Sequence, residues 1–172
     1  EMKAKLGFEA DSLNMGGGFG IWYAEGDAMI DVEGYADYLK ALLSTIKEGC
    51  KTLGLRLPFV YLEPGRSIVG EAGITLYTVG AIKEIPGIRK YVAIDGGMFD
   101  NPRYALYQSK YTAVLANRAA EEPTELVSIA GKCCESGDLI GTDFNLPAAR
   151  MGDILAVLST GAYNYSMASN YN

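Results

Sequence analysis

The chain has 172 residues, 49% of them hydrophobic, a formal charge of −6 and an isoelectric point near 4.7. That is apolar material for one core or for parts of two domains, on a chain too acidic to offer the basic footprint expected of a nucleic-acid partner. It has no histidine, which removes the usual general base and most zinc and copper sites, and its three cysteines, two of them adjacent, suit a reducing compartment better than a disulfide framework.

Residues 1–7 are predicted to end a helix at Gly7, and Ala10–Met15 to form a short strand running into Gly16, Gly17 and Gly18. Neither this start nor any later run has the apolar length of a signal core or a membrane span, so a soluble, cytoplasmic protein with no membrane partner is expected. From Glu33 to Leu53, Tyr35, Leu39, Leu42, Ile46, Cys50 and Leu53 recur at steps of three and four, which predicts one amphipathic helix closed by Gly54. Phe59–Leu62 then reads as a continuous apolar strand feeding Glu63-Pro64-Gly65-Arg66. Strand, loop, helix, strand and loop in this order make a βαβ unit of a parallel sheet, too small to cover both faces of that sheet by itself.

After about residue 72 the pattern changes. Thr75–Ile85, Tyr91–Ile94, Tyr111–Ala116, Leu126–Ala130 and Ile154–Ser159 are β-branched and apolar runs punctuated by Gly, Pro, Asn and Asp, the signature of an all-β part. Two incomplete units, residues 1–72 and 73–172, are therefore expected, with a boundary near Gly70–Gly73 and no internal repeat.

Several polar motifs sit at the ends of these elements. The dinucleotide pattern G-x-G-x-x-G fails, because the third glycine position after Gly16 and Gly18 is Ile21. Consecutive glycines after a strand still let backbone N–H groups approach a phosphate closely, although a flexible turn explains them equally well. Glu63 and Arg66 stand at the C-terminal end of a parallel strand, where α/β barrels gather their chemistry; a surface ion pair is the plainer alternative. Arg103 follows Asn101-Pro102 and taken alone is a solvated loop charge. Cys133-Cys134-Glu135 on a turn is neither a redox pair nor a zinc site; a thiol beside a carboxylate there is a candidate proton donor, with a small buried apolar residue as the bland alternative. Gly161-Ala162-Tyr163 opens an unusually polar aromatic tail, whose alternative is a loop between strands.

Taken in order, Gly16-Gly17-Gly18-Phe19-Gly20-Ile21, Glu63-Pro64-Gly65-Arg66, Asn101-Pro102-Arg103-Tyr104, Cys134-Glu135-Ser136-Gly137-Asp138 and Gly161-Ala162-Tyr163 resemble the diaminopimelate decarboxylases. The resemblance runs over nearly the whole chain but covers about the second half of the family. It implies a fold-type III pyridoxal-phosphate enzyme: the last strands of a TIM (β/α)8 barrel followed by a C-terminal Greek-key β-barrel, both incomplete here. It implies that Gly16, Gly17, Gly18, Glu63, Pro64, Gly65, Arg66 and Tyr163 hold pyridoxal 5'-phosphate. Arg66, Arg103, Tyr107 and Tyr163 would meet the substrate, with Glu135 on its distal ammonium and Cys134 as the acid that reprotonates the carbon losing CO2. A doubly zwitterionic substrate such as meso-diaminopimelate needs a positive and a negative partner at its far end, which this set provides.

The implied reaction yields L-lysine, in a homodimer whose Cys-Glu segments reach the partner's site. The lysine that binds the cofactor and the histidine that stacks on it are expected outside these residues, since Lys83, Lys90, Lys110 and Lys132 stand at no matching position. The fragment alone is accordingly expected to be inactive. A decarboxylase of the same fold acting on ornithine, arginine or carboxynorspermidine, or a non-catalytic regulatory relative, are the alternatives.

Overall fold

The computed structural model describes all 172 residues, from Glu1 to Asn172. A short helix α1 (Met2–Leu6) ends at Gly7 in the left-handed conformation, and is followed by strand β1 (Ser12–Asn14). Helix α2 (Val32–Leu53) is capped by Asp31, whose carboxylate accepts the Gly34 N–H at 2.8 Å, and it stops at left-handed Gly54. Its stripe Tyr35, Leu39, Leu42, Ile46 and Cys50 is only half-covered, Leu53 is exposed, and none of its 22 residues is buried. Strand β2 (Phe59–Tyr61) pairs in parallel with β1, Leu13 opposite Val60, which is the predicted βαβ unit with strands shorter than expected. Arg66, placed in a loop by sequence, opens a single helical turn, α3 (Arg66–Val69).

The rest is a six-stranded mixed sheet of β3 (Thr75–Ile85), β4 (Arg89–Ile94), β5 (Ala113–Leu115), β6 (Glu125–Ala130), β7 (Leu139–Leu146) and β8 (Ile154–Val157), in the order β5-β8-β3-β4-β6-β7. All neighbours are antiparallel except β4 and β6. The end strands β5 and β7 approach each other, so the sheet curls nearly into a barrel around fifteen buried residues, among them Val79, Val92, Ile129, Ile140 and Leu155.

Strand β7 escapes the sequence reading, as do three short helical segments, Arg103–Tyr107, Ala116–Arg118 and Asn164–Met167. Strand β7 was missed because Gly141, Asp143 (φ 62°) and Asn145 interrupt its apolar pattern; Gly141 is required there, since a Cβ would lie 2.9 Å from the Phe144 ring. The turn α4 (Arg103–Tyr107) is too short to show helical periodicity.

The two regions meet at a glycine seam. Gly161 and Thr160 donate their N–H groups to the carbonyls of Gly70 and Gly73, each at 2.9 Å, and a side chain on Gly161 would collide with the Val69 carbonyl. Ser159 Oγ donates to the Trp22 carbonyl at 2.8 Å, and Ile21, one of two buried residues before Gly73, packs where a Cβ on Gly70 would fall.

Candidate active site

The loops that leave β1 and β2 are built against one another. Asn14 donates from Nδ2 to Glu63 Oε1 and accepts the Gly16 N–H at Oδ1, both at 2.7 Å, while the Glu63 N–H reaches the Gly16 carbonyl at 2.7 Å. Gly17 lies so close to the Glu63 carbonyl that a Cβ could not be placed there. Thus Glu63 braces the loop with its side chain, and Gly16 spends its N–H inside the chain. The N–H groups of Gly17, Gly18 and Gly65 have no partner in the chain, which suits an oxyanion such as a phosphate. Gly65 in turn faces Tyr163, since a Cβ on it would be 3.6 Å from Tyr163 Oη.

Beside this loop pair stands a cluster of arginines and tyrosines. The Arg66 guanidinium lies 5.5 Å from the centre of the Tyr163 ring and 6.0 Å from that of Tyr23. The Arg103 guanidinium lies 5.7 Å from the same Tyr23 ring and 5.6 Å from Tyr107. Arg103 is only 6% exposed, and its Nη2 makes a long hydrogen bond, 3.4 Å, to Ser109 Oγ. Neither arginine has a carboxylate partner, and Nε of each is buried without any partner, as is Nδ2 of Asn164. Two sheltered cations without counter-charge amount to an anion site. Tyr111 closes the cluster, edge-on to Tyr23 at 5.5 Å, and burial raises its phenol above the ordinary range. Tyr23, Tyr111 and Asn164 were missed by sequence reasoning. The only signal was an aromatic pair, Trp22-Tyr23, just after the glycine loop.

Cys134 and Glu135 stand on a turn of their own between β6 and β7, and Glu135 takes its hydrogen bonds from Ser136, Gly137 and Tyr171 rather than from Arg66 or Arg103. That turn is pinned by Asp138, buried at its base, which accepts the N–H groups of Met98 and Cys133 at 2.6 Å each. The Cys133 thiol is pushed up by its sheltered position and by Asp138, whereas Cys134 is exposed. The Glu135 carboxyl is held below its usual range by the Gly137 N–H, by Tyr171 Oη at 3.1 Å and by Ser136, so it stays anionic into acid. Tyr171 is raised correspondingly by Glu135. The structure therefore joins Gly16–Gly18, Glu63–Arg66, Tyr163, Arg103 and Tyr107 into one neighbourhood and leaves Cys134 and Glu135 in another. No group of side chains suited to a metal is present, and no helix is long and apolar enough to cross a membrane.

Comparison with known proteins bears on this geometry. Residues 20–161 match the family model of the pyridoxal-dependent decarboxylase C-terminal sheet domain. The chain is 52% identical over 172 residues to a diaminopimelate decarboxylase of Bacillus subtilis (strain 168), covering 100% of this chain and 38% of that protein. It is 58% identical over 167 residues to a diaminopimelate decarboxylase of Staphylococcus aureus (strain COL), covering 96% and 39%. Among solved structures, diaminopimelate decarboxylase from M. jannaschii in complex with L-lysine superposes with a TM-score of 0.79 at 37% identity, over 99% of this chain and 37% of that one. The chain thus spans well under half the length of the relatives it matches.

Proposed function

Because this chain belongs to the pyridoxal-dependent decarboxylase family through its C-terminal sheet domain, we propose that it forms part of a decarboxylase converting meso-2,6-diaminopimelate to L-lysine and CO2. The observation that carries the reading is the pair of arginines, Arg66 and Arg103, gathered on one tyrosine without a carboxylate partner. A diaminopimelate end group is a carboxylate beside an ammonium, and two guanidiniums suit the first. Residues 1–72 are the end of a TIM barrel, whose remaining strands cover the exposed faces of β1, β2 and α2. Residues 73–172 are the C-terminal β domain of the same cytoplasmic enzyme.

The residues present fit pyridoxal 5'-phosphate. The free N–H groups of Gly17, Gly18 and Gly65 hold its phosphate, with Glu63 and Pro64 shaping the loop and Tyr163 beside it. When bound, this group takes up the electron pair left by departing CO2. Arg66 and Arg103 bind the distal carboxylate, with Tyr107 against Arg103. Cys134 and Glu135 of the partner subunit complete the site across a homodimer interface, which accounts for their separation from the arginines within one chain. There the Glu135 carboxylate, kept ionised by Gly137 and Tyr171, pairs with the distal ammonium, and the Cys134 Sγ–H delivers a proton to the substrate α-carbon.

The test is turnover by the full-length protein on meso-diaminopimelate, ornithine, arginine and carboxynorspermidine. Release of CO2 from diaminopimelate at the highest kcat/KM is expected, with none from the 172-residue chain alone. A preference for one of the other three substrates would overturn the assignment.

A further inference from the structure

We propose that Tyr23 is a positioning residue, a fixed aromatic plate that sets the spacing of Arg66 and Arg103 so that both cations grip one carboxylate. The inference rests on the function proposed above and adds to it a residue that the sequence motifs do not contain. The two arginines come from different regions, Arg66 from the turn after β2 and Arg103 from α4 beside the sheet. Both guanidiniums lie against the Tyr23 ring, at 6.0 and 5.7 Å from its centre, and no carboxylate of the chain pairs with either. Like charges brought together repel, and the negative face of an aromatic ring is the one attraction common to the pair. Arg suits such a plate because its guanidinium is flat and stacks.

The segment that carries the ring is tied down at several points. The Tyr23 N–H is accepted by Asp27 at 3.0 Å, the Trp22 N–H by Glu71 at 2.8 Å, and the Trp22 carbonyl accepts Ser159 Oγ. The ring packs on the core of the sheet and meets Tyr111 edge-on, with an interplanar angle of 90°. Two long side chains held in place beforehand lose little freedom when the ligand arrives, so the ring contributes affinity without touching the reacting carbon. Tyr23 Oη is buried with no partner, hence removing it forfeits no hydrogen bond and separates the ring's effect from the hydroxyl's.

The experiment compares full-length wild type, Tyr23→Leu and Tyr23→Phe, all loaded with cofactor. Leucine keeps the apolar packing and removes the ring face; phenylalanine keeps the face. Tyr23→Leu is expected to raise KM for diaminopimelate about tenfold with kcat changed less than about threefold, the pattern of lost uniform binding. Calorimetric affinity for L-lysine, which keeps the distal amino-acid centre, falls in parallel by about tenfold, and Tyr23→Phe restores both to within about threefold. An unchanged KM and L-lysine affinity in Tyr23→Leu would overturn the role, as would a loss confined to kcat or a Tyr23→Phe as impaired as Tyr23→Leu. If wild type neither turns over diaminopimelate nor binds L-lysine, the proposed function falls and the role of Tyr23 with it; if wild type does both and Tyr23→Leu matches it, only the role of Tyr23 falls.

Discussion

Residues 1–72 and the sheet that follows them are written in similarly apolar sequence, yet they bury it very differently. Of 31 buried residues only Ile21 and Gly70 precede Gly73, whereas the fifteen-residue core lies wholly between Tyr77 and Val157. Phe59, Tyr61, Leu57 and Leu13 remain exposed on or beside the parallel pair, while Leu155, Val92 and Ile129 in the sheet are fully enclosed. A mixed sheet that curls onto itself supplies both walls of its own core; a parallel βα unit supplies one wall and needs neighbouring strands for the other. The candidate site lies where the two regimes meet. Gly17 and Arg66 belong to the open part, Arg103 and Tyr163 to the closed one, and the Gly70, Gly73 and Gly161 seam holds them in register.

The contrast predicts that binding and stability can be broken separately. Gly17→Ala places a methyl group on the Glu63 carbonyl and displaces the loop whose N–H groups await a phosphate. In the full-length protein this weakens pyridoxal phosphate affinity by about tenfold or more, as overpacking by a methyl group costs about 1–3 kcal/mol. The effect is measured by cofactor titration, and the unfolding midpoint of the sheet stays unchanged.

The opposite result is expected within the sheet, at Asp153. This buried carboxyl is pushed up by burial, but hydrogen bonds from Asn117, the Arg150 N–H and Arg118 outweigh that and hold it below the usual range. A depressed carboxyl pKa adds stability that is complete above the unfolded value, about 3.9, and is lost as pH falls through the lower folded one. Asp153→Asn should therefore lower the melting temperature at neutral pH by several degrees, with the gap to wild type closing only in that acid window and cofactor affinity left intact. A gap that stayed constant into strong acid would deny the ionised pair its role.

These two sites also differ in how plainly they could be read beforehand. The βαβ order was legible because α2 has six apolar positions at helical spacing and a glycine stop, both local properties. Strand β7 was not, since Phe144 and Leu146 are buried through pairing with Val127 and Glu125 of β6, and the register shifts beyond Val127, which no local pattern encodes. At the site, glycines and arginines stood out as motifs, whereas Tyr23 is an ordinary tyrosine until folding sets two guanidiniums against it. Likewise, the bracing of Glu63 by Asn14 and the bond from the Met98 N–H to Asp138 join residues 49 and 40 positions apart, which composition and spacing do not reveal.

Amide hydrogen exchange, compared between the 172-residue chain and the full-length protein, tests most directly whether residues 1–72 are one wall of a larger barrel. Amides of β3, β4, β6 and β8 should be equally protected in both, while those of α2, β1 and β2 exchange orders of magnitude faster in the short chain. Equal and strong protection of α2 in the two proteins would contradict the account, because it would mean that the βαβ unit is stable without the strands proposed to cover it.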